Sequence, residues 1–153
     1  MSIVEDKLRQ LGLQLNPPKP SVANYVGCKR VGELLFVSGR VSELTGEVGT
    51  EITEPDAKVA ARDTILLILS IIKKEIGNLD LIDSVIKVHG FIRSSPNFTR
   101  QPYVLDGASD LLIELFGVNG QHARTATGVN QLPFGAAIQI DLILQLKSLQ
   151  HRL

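Results

Sequence analysis

The clearest pattern of apolar and polar residues lies near the carboxyl end of the chain. Isoleucine or leucine occupies every second position of one segment, at Ile138, Ile140, Leu142, Leu144 and Leu146. Because successive side chains of a strand point to opposite faces of a sheet, this alternation predicts a strand at residues 136–146 with one buried face. Another strand is predicted at residues 125–132, and Pro133-Phe134-Gly135 joins the two.

Apolar residues at helical spacing predict two long helices. The first begins after Thr53, whose hydroxyl can cap the helix, and ends at Gly77. The second is predicted from about Tyr103 to Phe116, with Gly117 as its stop. Apolar residues lie on more than one side of the first helix, so we expect neighbours besides the sheet to cover it.

Three shorter strands are predicted at residues 25–31, 34–38 and 84–92. Gly32-Glu33 separates the first two and fits a two-residue hairpin turn. The order β-β-α-β-α-β-β predicts an α+β fold, in which two helices cover one face of a single mixed sheet. The second face would then be open, and packing against further subunits would cover its apolar groups.

The chain is expected to form one domain preceded by an arm. Residues 1–20 are taken as an N-terminal arm, with a short amphipathic helix at residues 4–13 and an extended stretch rich in proline at residues 16–20. Residues 21–153 are taken as a single domain, since domains of roughly 100–150 residues are the commonest.

Composition and charge narrow the class of protein. Sixteen basic residues balance sixteen acidic ones, which argues against nucleic acid or an anionic membrane as a partner. The longest apolar run is far below the roughly 20 residues of a membrane span, and the first residues lack the apolar core of a signal peptide. We therefore expect a cytoplasmic protein with no membrane partner.

The sequence gives little support for a metal site or a catalytic nucleophile. The three histidines, His89, His122 and His151, are far apart, so no metal site is expected. His89, within a predicted strand, is expected to be a core or interface residue. Cys28 is the only cysteine, and we expect a buried structural thiol there.

Arg124 is the strongest candidate for binding chemistry. It lies where a polar segment enters a predicted strand, and its guanidinium offers two parallel donors that match a carboxylate. Judged by residue type alone, a surface or ion-pairing arginine is the commoner role, since most arginines are exposed.

Several motifs in this order resemble the RidA (YjgF) family. Its C-terminal signature is similar to Ala123-Arg124-Thr125-Ala126, Leu132-Pro133 and Ile138-Gln139-Ile140-Asp141. Its cleft tyrosine and following strand resemble Asn24-Tyr25-Val26 and residues 32–39. Residues 107–124 are closer to a subgroup often labelled "YjgF-like putative endoribonuclease". The resemblance covers residues 20–147.

This resemblance implies a chorismate-mutase-like α+β fold and a homotrimer with three clefts at the subunit interfaces. Active members of the family hydrolyse reactive 2-imino acids to 2-keto acids and ammonia. They need no cofactor. The implied partner is therefore a small metabolite that carries a carboxylate.

The resemblance also implies roles for residues that would bind the ligand. Arg124 matches the arginine that grips the substrate carboxylate, and Tyr25 matches the cleft tyrosine. Thr125 and Ala126 occupy positions where backbone groups face the ligand, and many deaminases have cysteine at the position of Ala126. Asp106 occupies a position where relatives often have asparagine.

Gln139 departs from the family pattern, because it stands where a glutamate is associated with the hydrolytic water. Glutamine can hold a water molecule but cannot accept its proton. Asp141 shares the predicted face of Gln139 and is a candidate substitute. Arg40 stands where relatives often have glutamine, and we expect it to pair with an acid.

Three functions remain open from the sequence. The first is a carboxylate-binding trimer with weak imine hydrolase activity. The second is a binding or regulatory trimer without catalysis, which Gln139 favours. The third is an endoribonuclease, as the subgroup label suggests, although zero net charge, few aromatic residues and the lack of a histidine pair argue against it.

Overall fold

The helices and strands follow the predicted order. The computed structural model describes residues 2–18 and 24–148. Its helices are α1 (Ile3–Gln10), α2 (Glu54–Ile76) and α3 (Gln101–Phe116). Its strands are β1 (Cys28–Val31), β2 (Leu34–Val41), β3 (Ile82–Arg93), β4 (Ala123–Val129) and β5 (Ile138–Leu146). Short 3-10 helices lie at Leu79–Leu81, Gly117–Gly120 and Pro133–Gly135.

The five strands form one mixed sheet in the order β1-β2-β5-β3-β4. All neighbouring pairs are antiparallel except β3 and β4, which are parallel and connected through α3. β5 lies at the centre, and its residues alternate between buried and half-buried as the sequence predicted. Although β4 and β5 follow each other in the chain, β3 lies between them.

Some predicted strand boundaries were wrong. β1 begins at Cys28 rather than Tyr25, because Tyr25 lies in a bend before the strand. β4 ends at Val129 rather than at residue 132, and Pro133 then begins a 3-10 turn. Proline lacks the N–H group that a strand would use for pairing, so the chain leaves the sheet ahead of it.

α2 and α3 cover one face of the sheet, which confirms the predicted arrangement. The hydroxyl of Thr53 accepts a hydrogen bond from the Asp56 N–H, and α2 ends before Gly77, whose φ is +89°. The two helices also pack closely on each other. A Cβ atom built at Gly107 of α3 would overlap the carbonyl oxygen of Lys58 on α2, so only glycine allows this approach.

The N-terminal helix α1 packs against the rest of the domain. Val4 and Leu8 on its apolar face are buried and belong to the main hydrophobic core. The carboxylate of Asp80 accepts hydrogen bonds from the hydroxyl of Ser2 and from the backbone N–H groups of Ile3 and Val4. Lys19 and Pro20 of the predicted extended stretch lie outside the described residues.

No helix of the described residues covers the second face of the sheet, as the element order predicted. Phe36 on β2 is 40% exposed, and its partner Ile143 on β5 is half-buried. Polar side chains occupy the same face further along, among them Lys87, His89 and Asp141. We call this surface the open face. Among the described residues no helix is long and apolar enough to cross a membrane.

The ionisation state of the Asp80 carboxyl affects how strongly α1 is held to the rest of the domain. Burial by itself would raise the pKa of Asp80, but the hydrogen bonds from Val4, Ile3 and Ser2 outweigh it and hold the pKa below its ordinary value. A lowered pKa in the folded state means that ionised Asp80 stabilises the fold above the unfolded pKa. This contribution disappears as the pH falls through the folded-state pKa.

We expect Asp80→Ala to lower the free energy of unfolding by about 1 kcal/mol near pH 7, because the N-terminal N–H groups of α1 lose their acceptor. Urea denaturation at fixed protein concentration measures the loss, which should shrink near pH 3. Asp83→Ala is the matched control, since this nearby carboxylate has no bond to α1 among the described residues. Equal losses for the two variants would contradict the role given to Asp80.

Candidate functional site

Arg124 is held by two side chains of α3. It pairs with Val88 across β3 and β4, so its side chain points to the helical side of the sheet. Its Nη1 donates to Oδ1 of Asp106 at 2.7 Å and to Oγ of Ser109 at 3.2 Å. The side chain is 25% exposed. The guanidinium is therefore fixed in place and still reachable from solvent.

The remaining donors of Arg124 are available to a ligand. Both of its side-chain hydrogen bonds within the described part of the chain leave from Nη1. The edge formed by Nη2 and Nε therefore has no protein acceptor among these residues. Two parallel N–H groups match the two oxygens of a carboxylate, and such contacts are among the stronger hydrogen bonds in proteins.

Ser109 and His122 extend the cluster beyond Arg124. Oγ of Ser109 lies 2.9 Å from Nε2 of His122, and Nδ1 of His122 lies 2.6 Å from the carbonyl oxygen of Gly120. A carbonyl oxygen only accepts hydrogen bonds, so Nδ1 carries a proton. We call Asp106, Ser109, His122 and Arg124 the arginine cluster.

The sequence analysis assigned no role to Ser109 or His122. A signal was present in the spacing of the residues. Asp106 and Ser109 are three positions apart on one helix face, and His122 and Arg124 are two positions apart, as on one side of a strand. These two pairs meet because α3 lies over β4. The spacing of residues in the sequence does not predict how the helix and the strand are packed.

The two residues that follow Arg124 point to opposite sides of the sheet. Oγ1 of Thr125 accepts a hydrogen bond from Nζ of Lys87 at 3.0 Å, which places it on the open face. Ala126 shares the face of Arg124 and packs against the hydrophobic core. Of these two predicted site residues, only Ala126 has its side chain on the side of the arginine cluster.

Gln139 belongs to a second group of residues, on the open face. Its side chain lies against Gly39, where a built Cβ atom would be 3.2 Å from Nε2 of Gln139. The guanidinium of Arg40 lies 5.8 Å from the centroid of the Tyr25 ring. Ser38 holds this region together, because its Oγ donates to the Val26 carbonyl at 2.6 Å. Arg40 pairs with the buried Ile140, and its guanidinium lies near Gly27 and Ile71 of α2, so Arg40 faces the helical side and Tyr25 lies beside it. We call Gly39 and Gln139, on the open face, the glutamine group.

The arginine cluster and the glutamine group do not meet within one chain. Gln139 and Thr127 both pair with Phe91, and Arg124 lies three residues before Thr127. With ordinary strand spacing and rise, the Cα atoms of Arg124 and Gln139 are roughly 14 Å apart. Their side chains also point to opposite faces of the sheet. A single chain therefore lacks the complete site that the resemblance implies.

Asp141 shares the face of Gln139, as the alternation predicted. Its Oδ2 lies 3.7 Å from Nδ1 of His89 on the neighbouring strand. Burial raises the pKa of Asp141, although the charges of His89 and Lys87 act in the opposite direction. A carboxyl with a raised pKa is a better proton acceptor than an ordinary aspartate.

Neither a metal site nor a reactive thiol is present in the described residues. They contain no group of three or more histidine, cysteine, aspartate or glutamate side chains that could hold a metal ion. Cys28 is buried, which confirms the prediction. Burial and the charge of Glu75 raise the pKa of Cys28 to about 11, while Arg40 lowers it in part.

Comparison with known proteins identifies the family. A family model described as "YjgF/chorismate mutase-like, putative endoribonuclease" matches residues 5–146. The chain belongs to this family. Protein TCP17 from Trypanosoma cruzi is 39% identical over 152 residues, and the match covers 95% of each protein.

Solved structures confirm the YjgF-like fold. A protein of unknown function from Agrobacterium tumefaciens is 38% identical with a TM-score of 0.87, over 95% of this chain and 93% of that one. A structure described as a "putative endoribonuclease" from Shewanella oneidensis MR-1 is 28% identical with a TM-score of 0.90, over 94% and 99% of the two chains. The YjgF gene product of E. coli shares the fold with a TM-score of 0.62. It is 19% identical, and the match covers 86% of this chain and 94% of that one.

We expect Cys28 to react with iodoacetamide about 100-fold more slowly than a free thiol near pH 8, because a pKa of about 11 leaves little thiolate. Mass spectrometry of samples quenched over time measures the rate. The same protein in urea is the control, and there the reaction should be fast. Rapid alkylation of the native protein would contradict the burial of this thiol.

Proposed function

We propose that this protein binds small 2-keto or 2-imino carboxylates through Arg124, in clefts between the copies of a homotrimer. The observation that carries the proposal is the fixed guanidinium of Arg124, whose Nη2 and Nε edge has no protein acceptor among the described residues. A preorganised donor pair binds a carboxylate at a smaller entropic cost than a mobile arginine would.

The separation of the two groups supports a cleft between subunits. Gln139 lies on the open face, whereas Arg124 lies on the helical side. The glutamine group of one copy can reach the arginine cluster of another only if two different surfaces meet. Contacts between unlike surfaces generate rings when the rotation closes. The half-exposed Phe36 and its neighbours on the open face give such a ring apolar area to bury.

The chemistry at Gln139 favours binding over rapid turnover. Imine hydrolysis adds water to the C=N carbon, moves a proton to nitrogen and releases ammonia as the carbonyl forms. Gln139 can orient the water molecule but cannot take its proton. General acid–base catalysis typically contributes on the order of 10²–10⁴-fold. Asp141, two residues along the same face, is the candidate proton acceptor for a slow reaction.

Binding without catalysis is the second candidate function, and Gln139 is the observation that favours it. A regulatory trimer would keep the carboxylate grip of Arg124 without hydrolysing the ligand. The family description "putative endoribonuclease" suggests RNA cleavage instead. The zero net charge argues against it, since most non-specific affinity for RNA comes from cationic contacts to phosphates.

We expect wild-type protein to bind pyruvate and Arg124→Ala to bind it about 10- to 100-fold more weakly, because hydrogen bonds to charged groups contribute about 1.5–3 kcal/mol. Isothermal titration calorimetry measures the affinity, and analytical ultracentrifugation checks that both proteins are trimers. Arg30→Ala is the matched control, since Arg30 lies on the edge strand β1 and bonds only the local Gly32 carbonyl among the described residues. Equal binding by wild type and Arg124→Ala would remove Arg124 as the anchor.

Replacing Gln139 separates the two candidate functions. We expect Gln139→Glu to raise the rate of imine hydrolysis by about 100-fold, because it supplies a proton acceptor. An amino-acid oxidase forms the imine in situ, and semicarbazide traps what remains. Gln145→Glu, on the same face of β5, is the matched control. Slow hydrolysis by the wild type supports the hydrolase, whereas activity found only in Gln139→Glu supports the binding protein. No change in Gln139→Glu would contradict the role of this position.

A further inference from the structure

The hydrogen bonds of the arginine cluster have fixed directions. Arg124 can only donate, so Oγ of Ser109 accepts from it. The carbonyl of Gly120 can only accept, so Nδ1 of His122 donates to it. When His122 is neutral, its Nε2 is then an acceptor, and the hydroxyl of Ser109 donates to it. The chain Arg124 to Ser109 to His122 to Gly120 is complete with a neutral imidazole.

This inference rests on the proposed binding of a carboxylate at Arg124. We propose that His122, acting through Ser109, is a positioning residue for Arg124 that takes up a proton when a carboxylate ligand binds. The protein would then bind its ligand more tightly as the pH falls. The hydroxyl group of Ser109 couples proton uptake at His122 to ligand binding at Arg124.

The charge balance of the cluster supports this coupling. Without ligand, Arg124 and Asp106 cancel each other at 2.7 Å, and a neutral His122 keeps the cluster at zero net charge. A bound carboxylate adds one negative charge beside Arg124. Protonation of His122 restores neutrality, and a histidine is the side chain best suited to change its charge between about pH 5 and pH 8.

The hydrogen bonds can rearrange without moving heavy atoms. Protonated His122 donates from Nε2 to Oγ of Ser109, which has two lone pairs and still accepts from Arg124. The hydrogen of the Ser109 hydroxyl is then free to turn toward Asp106 or the ligand carboxylate. Ser109 is only 7% exposed and is held from both sides, which suits a relay and argues against a nucleophile.

The other charged groups around His122 are already paired. On α3, Asp106 binds Arg124, and Asp110 lies 3.9 Å from Lys58 of α2. On β3, Lys87 binds the hydroxyl of Thr125 on the opposite face of the sheet. Asp106 touches Arg124 directly, but among the groups named here only His122 is of a residue type that ordinarily changes its charge between about pH 5 and pH 8.

Calorimetry in two buffers tests the coupling directly. Pyruvate is titrated into wild-type protein near pH 6.5, in phosphate and in a buffer of much larger ionisation enthalpy, and the difference in heat counts the protons taken up. We expect net uptake, and at least fivefold tighter binding near pH 5.5 than near pH 8, a typical strength for coupled sites. His122→Gln keeps an acceptor for Ser109 but cannot titrate.

The variants distinguish the possible outcomes. His122→Gln should take up no proton when it binds pyruvate, and its affinity should change little between about pH 5.5 and pH 8. His89→Gln, which removes a half-exposed histidine from the open face, is the matched control and should retain the uptake. Two outcomes would overturn the inference alone. One is proton uptake that persists in His122→Gln, and the other is binding of pyruvate by the wild type without proton uptake. No binding of pyruvate by wild type at any pH would overturn the proposed function as well.

A spectroscopic measurement keeps the test independent of how His122→Gln folds. Nitrogen-15 spectra of the wild-type imidazoles report which ring nitrogens carry protons. Nδ1 of His122 carries a proton that it donates to the Gly120 carbonyl, and we expect pyruvate to add a second proton at Nε2. An unchanged His122 ring at saturating pyruvate would contradict the proposal.

Discussion

Side chains alternate between the two faces of the sheet, and that alternation places Arg124, Gln139 and Asp141. In β4 it directs Arg124 toward α3, where Asp106 and Ser109 hold it. In β5 it buries one row of apolar residues and leaves Gln139 and Asp141 on the open face. A slip of one residue in either strand would exchange the faces of that strand and dismantle the group that it carries.

The same alternation explains why one chain holds two separate groups. The helical side of the sheet supplies a fixed cation with a neutralising carboxylate, and the open face supplies the amide of Gln139 and the carboxyl of Asp141. Neither group alone can both grip a carboxylate and direct a water molecule at the neighbouring carbon. Assembly is then a chemical requirement of the proposed function, besides being a way to cover apolar surface.

The sequence was sufficient for the features that local chemistry decides. The cap at Thr53, the stop at Gly77 and the alternation of β5 were all read correctly, because each depends on a few neighbouring residues. The placement of β3 between β4 and β5 depends on pairing between distant segments, and the sequence pattern left it open. The resemblance named Arg124 and Asp106 separately, and their direct pairing became visible only once α3 was placed over β4.

The roles of Ser109 and His122 could not be predicted from residue type. A serine within a helix and a histidine before a strand are ordinary alone, and thirteen positions separate them. Their roles follow from the contact with Arg124, which fixes the direction of each hydrogen bond.

Gly107 gives a criterion for reading related sequences. It stands directly after Asp106 and two residues before Ser109, at the point where the backbones of α3 and α2 come closest. Any larger residue there would push α3 away from α2 and shift both arginine partners. Glycine at this position is therefore a marker of the arginine cluster: a relative with a bulkier residue has to hold its arginine by other means, even where the arginine itself is retained.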